Sequence, residues 1–399
     1  MTTDSKRLRI LAVLPDIPWP LNSGKRIREW SVVSALAHMG DLDVITVGLD
    51  VEPFVVPPGV GLQTAETVVL SYRKKVGSGV RLAGGRPWRM AVADWATAAA
   101  RIAELNSGPY DVVWFGSLDA WVELRVHVGE AKAIVDIDDI ETEKIASFLA
   151  TPPTPGFGNR VDRLQGRVER VMWSRIQKSA LKRTAAVTVC SSLDAAVLGA
   201  ANAAIVPNCF PVPPRSAAAK TRSHTVLLVG NYAYEPNLDG ARFMARDVMP
   251  SVVRRFPDAR LLLVGRGAAD EIAGLGRLPW VEAIGEVEST EEYLETSQVA
   301  VAPVRFGGGT RIKLIEAFAY SLASVSTTVG CYGLDVVDGR ELLVADTAAD
   351  FADAVCRVLG DDVLGQELGS AGHALYAAKY QPSAVIETIR GLVAEVAAS

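Results

Sequence analysis

Cysteine is scarce in these 399 residues: Cys190, Cys209, Cys331 and Cys356 make up the whole complement, with no CxxC pair and no histidines clustered beside them. That pattern excludes a disulfide scaffold and argues against a structural zinc, so a reduced, cytoplasmic setting is expected. Histidine is equally thin, and His38, His127, His224 and His373 are too scattered to suggest a site. No stretch approaches the roughly 18 apolar residues of a membrane span. Near the start, "ILAVL" follows a basic flank but is only a strand's length, too short for a signal peptide. There is no marked charge excess either: the formal net charge of −5 argues against a general nucleic-acid binder, while leaving room for a local basic site. Two nucleotide motifs are missing as well. In "SGKR" at 23–26, Trp19 stands where GxxxxGK needs its first glycine, and no Ser or Thr follows Lys25. "GNYAYEPN", from Gly230, lacks the later glycines of GxGxxG.

What the chain does have is length, apolar strands and loops. At 399 residues with 49% hydrophobic and 22% charged content, it is globular and too long for one ordinary core. Short apolar runs alternate with helical segments: "RILAVLP", "DVITVG", "DVVWFG", "AIVDID", "AVTVCS" and "AIVPN", then "TVLLVG", "ARLLLVG", "VEAIG", "VAVAPV", "ASVSTT" and "LLVAD". Continuous apolar strands imply parallel sheets covered on both faces, so the fold class is α/β with two doubly wound, Rossmann-like domains. The boundary is the proline- and alanine-rich stretch 207–223, which separates the two strand series. The expected division is 1–206, a linker at 207–223, a second domain at 224–380, and a last helix at 381–399. Ligands of such sheets bind beyond the carboxyl ends of the strands, so a cleft between the domains is the expected site.

The most informative stretch is "RFGGGTRIKLIEAFAY", residues 305–320. A buried strand precedes it, Gly307, Gly308 and Gly309 form its loop, and Thr310 is a candidate N-cap. The following helix would bury Ile312, Ile315 and Ala319. Arg311 and Lys313 then fall where the helix dipole is already positive, at a cost of about 0.3–1 kcal/mol each. An anion resolves the conflict: glycine-loop N–H groups, the helix N-terminus and two full positive charges fit a diphosphate. Charge-assisted hydrogen bonds of about 1.5–3 kcal/mol each more than offset the dipole penalty. Glu316, one turn beyond Lys313, suits the two hydroxyl donors of a ribose, or else pairs with Lys313 within the helix.

These residues resemble family 4 retaining glycosyltransferases of the GT-B fold, in the branch that carries GGGTRxK. The similarity is carried by "VAPVRFGGGTRIKLIEAFAYSLASVSTTVGCYGLDVV" and "VGNYAYEPNLDGARFMARDVMPSVVRRFPDARLLLVGRG", and extends over roughly residues 185–380. "PDIPWPLNSGKRIRE" resembles the family's first loop more weakly. The resemblance implies transfer of a sugar from a nucleotide-diphosphate sugar to an acceptor hydroxyl, with retention and without an essential metal or other cofactor. The second domain would hold the donor, the first a carbohydrate, glycolipid or small-molecule acceptor, and the last helix would cross back to the first domain. Glu316 matches the second glutamate of the family's pair. The first falls on Gly308, and the cations that many relatives carry after the domain's first strand correspond to Asn231 and Asn237. Arg311 and Lys313 would then take over the diphosphate. The base would rest on backbone near Gly285 and Val287, and the family's usual helix-ending Gly-x-Pro-Val reads "SLAS" at 321–324.

In the first half, Asp136, Asp138 and Asp139 end a strand, and Asp138 falls near a histidine position of the family. Asp138 or Asp139 could contact the acceptor or accept its proton; capping, an ion pair or a metal are the other readings. Gly24 and Arg28 follow the first strand, near a bound sugar or diphosphate if the first loop acts as in relatives, or as solvated helix residues. The segment 160–183 carries eight cations and two acids; it is a solvated basic face or a peripheral contact with an anionic membrane or acceptor. Oligomeric state is open. An epimerase of the same fold, or a protein that binds nucleotide sugars without catalysis, would share the donor residues.

Overall fold

In the computed structural model, residues 7–72, 87–105, 108–150, 160–199, 202–212 and 224–399 are described. Most of the expected linker, 213–223, lies outside them. The chain divides into two compact units, Met1–Cys209 with Pro382–Ser399, and Phe210–Gln381.

The strands of the first unit are β1 (Leu8–Leu14), β2 (Gly40–Gly48), β3 (Thr64–Val69), β4 (Ser71–Tyr72), β5 (Ala93–Asp94), β6 (Val112–Phe115), β7 (Lys132–Ile137), β8 (Ala186–Val189) and β9 (Ala203–Ile205). Seven of them form one sheet in the order β3-β2-β1-β6-β7-β8-β9. Every pairing in it is parallel. β4 and β5 form a separate antiparallel ladder. Ile10 to Leu14 are fully buried, the signature of a strand covered on both faces. Side chains of Ser23, Ser117 and Ser191 cap the helices after β1, β6 and β8, each contributing about 1 kcal/mol. The helix Pro382–Ala398 packs on Gly24–Ala37, and Lys132 Nζ donates to the carbonyl of Ala397 at 3.2 Å.

The second unit holds β10 (Thr225–Val229), β11 (Arg260–Val264), β12 (Val281–Gly285), β13 (Val299–Ala302), β14 (Ser324–Ser326) and β15 (Leu343–Val344). Their order is β12-β11-β10-β13-β14-β15, again all parallel. One core, including Val226, Leu228, Phe243, Phe351 and Val355, covers one face. Another, with Leu227, Leu314, Ile315 and Phe318, covers the other.

Both main sheets therefore reverse strand direction of travel once, between β1 and β6 and between β10 and β13. Loops leaving the carboxyl ends of such a pair diverge and open a crevice, the usual place for a ligand in this fold.

Candidate functional site: the switch point of the second sheet

The loop after β13 lies at that crevice. Gly307 and Gly309 have φ of 112° and 76°, a region in which only glycine is unstrained. A Cβ on Gly307 would meet Tyr234 Oη at 2.9 Å, Arg311 Nη2 at 3.3 Å and Pro236 Cγ at 3.4 Å. The glycine thus lets this loop close on the one after β10. The helix that follows is Ile312–Ala319, and its N-cap is Arg311, with no side-chain cap. Thr310 lies one residue outside, so the expected cap is displaced by one position. Lys313 is the cation in the first turn, where no acid stands. The expected single inward stripe is also too narrow: Leu314 to Ala319 are all buried, because the helix sits between sheet and neighbouring helices.

Arg311 Nη1 donates to the carbonyl of Gly308, which folds the guanidinium back over the glycine loop. Lys313 Nζ donates to Asn237 Oδ1 at 2.9 Å. Asn237 Nδ2 in turn donates to the carbonyl of Asn231 at 2.9 Å, and Asn231 Oδ1 accepts from the N–H of Ala233 at 3.1 Å. The two asparagines at the positions where many relatives have cations thus lead directly to Lys313. Burial, and secondarily the charge of Arg311, lower the Lys313 ammonium to about 7, while Glu316 opposes the shift. Glu316 is 6% exposed. Its carboxylate accepts from Thr290 Oγ1, on the loop after β12, rather than pairing with Lys313. Burial raises it to about 7, against the Thr290 hydrogen bond and the Lys313 charge.

Gly285 ends β12 with φ of 80°, and its carbonyl accepts from the N–H of Gly265 at 2.7 Å. Val287 packs against the Leu314–Phe318 core. Sequence reasoning missed Thr290 and Tyr234, and also Gly265 and Gly267 after β11. A Cβ on Gly265 would lie 1.9 Å from the carbonyl oxygen of Gly230, and one on Gly267 2.4 Å from the N–H of Ala233. The "GRG" triplet was the available signal. At the far end of the helix, Ser321 has φ of 55°, the left-handed conformation that favours glycine.

The first unit treats its expected residues differently. Gly24 opens the helix Gly24–Ala37, whose cap, Ser23 Oγ, accepts from Arg26 N–H at 3.3 Å. Arg28, expected either near a bound donor or as a solvated helix cation, is 4% exposed and committed to the fold. Its Nε and Nη2 donate to Asp136 at 2.7 and 2.5 Å, and Nη1 to Val206 O and Asn208 Oδ1 at 3.0 and 3.1 Å. Thr188 Oγ1 adds a bond to Asp136 at 2.6 Å. The guanidinium is held well above its ordinary pKa by Asp136, although burial alone would lower it. The aspartates therefore do not act as one cluster. Asp136 is buried, Asp138 is exposed with Oδ1 accepting from Asp139 N–H at 2.9 Å, and Asp139 lies 3.5 Å from Lys144. Glu29, missed in the sequence, is 2% exposed, and burial followed by the Asp136 charge raises its pKa well above the ordinary value. Among the described residues no group of three His, Cys, Asp or Glu side chains is arranged to hold a metal.

Two parallel Rossmann-like sheets with ligand loops at the switch point define the GT-B fold. The solved structures agree. Sucrose-phosphate synthase from Thermosynechococcus elongatus superposes with a TM-score of 0.70 at 18% identity, covering 98% of this chain and 100% of that one. WaaG, a glycosyltransferase involved in lipopolysaccharide biosynthesis, gives 0.64 at 14% identity, covering 96% and 100%. Anabaena HepE in complex with UDP-glucose gives 0.62 at 11%, covering 97% and 100%. Residues 223–361, which fall largely in the second unit, match the family model described as Glycosyl transferases group 1. Phosphatidyl-myo-inositol mannosyltransferase of Mycobacterium tuberculosis is 32% identical over 209 residues, 49% of this chain and 54% of the relative. Its counterpart in Mycolicibacterium smegmatis is 33% identical over 147 residues, 35% and 37% of the two chains. The chain thus matches about half the length, or less, of these curated relatives.

Proposed function

We propose that this protein transfers a sugar from a nucleotide-diphosphate sugar to an acceptor hydroxyl, with retention and without a metal ion. The observation that carries the reading is the meeting of Lys313 with Asn237, and of Glu316 with Thr290, around the Gly307–Gly309 loop at the switch point. The Glycosyl transferases group 1 domain, and neighbours solved with UDP or UDP-glucose, support it.

In this mechanism the diphosphate lies on the loop amides and the free N–H groups of the Ile312–Ala319 helix, with Arg311 and Lys313 taking its charge. Glu316 holds the ribose, and backbone near Gly285 and Val287 faces the base. As the bond from the anomeric carbon to the β-phosphate oxygen breaks, its electron pair goes to the phosphate, where preorganised donors stabilise it most. The acceptor oxygen bonds to the same face of the anomeric carbon, and its proton passes to the departing phosphate. Asp138 or Asp139 contacts the acceptor, which is a carbohydrate, a glycolipid or a small molecule.

The test is turnover. The full chain, in EDTA, is incubated with a panel of nucleotide sugars and acceptors while nucleotide release and the anomeric configuration of product are followed. Release with retained configuration, lost in Arg311→Ala with Lys313→Ala, is expected. Inverted product, or turnover untouched by the double substitution, overturns the mechanism. Isomerised donor without any acceptor would identify an epimerase instead.

A further inference from the structure

One buried carboxyl has no task in this chemistry. Glu29 lies in the second turn of the helix Gly24–Ala37, which begins beyond the carboxyl end of β1. Helical side chains lean toward the amino end of their helix, so Glu29 leans toward the crevice between the loops after β1 and β6. A close approach marks its place there. A Cβ on Gly116, the first residue after β6, would lie 3.3 Å from Glu29 Oε2, 3.4 Å from Oε1 and 2.7 Å from Pro15 Cδ. The Gly116 N–H donates to the carbonyl of Val13 at 2.8 Å, which ties the two loops together. The missing side chain at 116 thus leaves both carboxyl oxygens their position at the switch point of the first sheet.

Nothing in the first unit satisfies that carboxyl. Glu29 is 2% exposed, and its Oε2 is shielded from solvent without a hydrogen-bond partner. Among the described residues neither oxygen forms a hydrogen bond or an ion pair. Two cations are adjacent, and neither pairs with it. Arg28 turns to Asp136, and Lys25, one helical turn earlier, is exposed. A buried polar group left without a partner costs stability, so its partner is expected to arrive with a ligand.

Charge selects the kind of ligand. Burial, and then the charge of Asp136, hold Glu29 well above its ordinary pKa and favour the neutral acid, with Asp138 acting in the same sense. A phosphate is repelled by those aspartates. A neutral acid offers one donor and an acceptor, and an ammonium, which only donates, matches half of it. A sugar hydroxyl both donates and accepts, so it satisfies the whole group.

We infer that Glu29 is a substrate-binding residue of the first unit, whose carboxyl receives a hydroxyl of a sugar or polyol acceptor. The inference rests on the reading of the first unit as the acceptor side. Glu29 then orients the acceptor, and its burial excludes water as a competing partner.

The experiment uses the full chain as wild type, E29Q and E29M. Methyl α-glucoside, methyl α-mannoside, methyl β-galactoside and glycerol are titrated by ligand-observed NMR. Nucleoside diphosphate affinity is measured by calorimetry, and stability by chemical unfolding. At least one of the four compounds binds wild type. Its Kd rises about thirtyfold in E29M, which loses two hydrogen bonds. E29Q keeps a donor and an acceptor and stays within about threefold. Diphosphate affinity is unchanged in both variants, and E29M unfolds no more easily than wild type. In protein labelled with ¹³C at the glutamate carboxyls, the Glu29 resonance is the one missing from E29Q, and it shifts as the sugar binds. That resonance decides the matter if E29M does not fold. No binding of any of the four to wild type, a Glu29 resonance that stays still as one binds, or E29M with a lower midpoint and unchanged sugar affinity each overturns the inference. Sugar binding through Glu29 in a wild type that binds no nucleoside diphosphate sinks the donor reading and leaves this inference standing.

Discussion

If Lys313 takes the charge of a diphosphate as proposed, binding must depend on pH, and the direction follows from the lysine's burial. In the ligand-free protein its ammonium is lowered from an ordinary 10.5 to about 7, first by burial and then by Arg311. A bound diphosphate favours the charged form, so binding above that value takes up a proton and affinity falls as pH rises. The protonated fraction is about one half at pH 7 and about one hundredth at pH 9, a fall of roughly fiftyfold, or about 2.3 kcal/mol. The terminal phosphate is itself almost fully ionised by about pH 7 and adds little over this range. Glu316 works the other way. It is raised to about 7 by burial, so its ionisation over the same range strengthens the ribose contact, by about 1 kcal/mol. Wild type should therefore lose about tenfold, Glu316→Gln nearer fiftyfold, and Lys313→Gln should show no fall. Titration calorimetry at constant ionic strength, in two buffers of different ionisation enthalpy, measures affinity and proton uptake together. Affinity independent of pH, or a fall that survives in Lys313→Gln, would refute the reasoning.

Glu316→Gln also separates stability from function: removing a carboxyl whose folded pKa lies above its unfolded value relieves a penalty that grows as pH rises from about 4.5 to 7. At pH 8 the variant should be more stable by about 1–3 kcal/mol while binding nucleotide more weakly, measured by chemical unfolding and calorimetry. Ser321→Gly relieves a left-handed non-glycine residue and should add about 1 kcal/mol, whereas Gly307→Ala, at φ of 112° with Tyr234 Oη in the way, should weaken both stability and diphosphate binding. Asp136→Ala leaves Arg28 buried and unpaired and should cost about 3–5 kcal/mol, while Asp138→Ala, at an exposed position, should leave the denaturation midpoint unchanged.

The sheets were legible because their strands are covered on both faces: each of the twelve apolar runs coincides with a strand. β3 was not, because a half-exposed edge strand such as "TAETVV" lacks a continuous apolar signal. The two-residue strands β4 and β5 are shorter than any periodicity can register. Arg311, Lys313 and Glu316 stood out because cations at a helix N-terminus oppose the dipole. Their partners did not. Asn237 reaches Lys313 across 76 residues and Thr290 reaches Glu316 across 26, and only the strand order brings those loops together. Arg28 was misread for a related reason. Nothing local distinguishes a cation that will be buried against Asp136, 108 residues away, from one left to meet a ligand.

The central claim, that the switch-point loop of the second sheet holds a nucleoside diphosphate without a metal, is tested most directly by thermal shifts. UDP, GDP, ADP and dTDP are added in EDTA to wild type and to the Arg311→Ala, Lys313→Ala double variant. At about 100 times its Kd a ligand adds about 2.7 kcal/mol, a shift of a few degrees for a chain of this size. One diphosphate should raise the melting temperature in EDTA for wild type and not for the double variant. An unchanged melting temperature with all four, or an equal rise in both proteins, would contradict the claim.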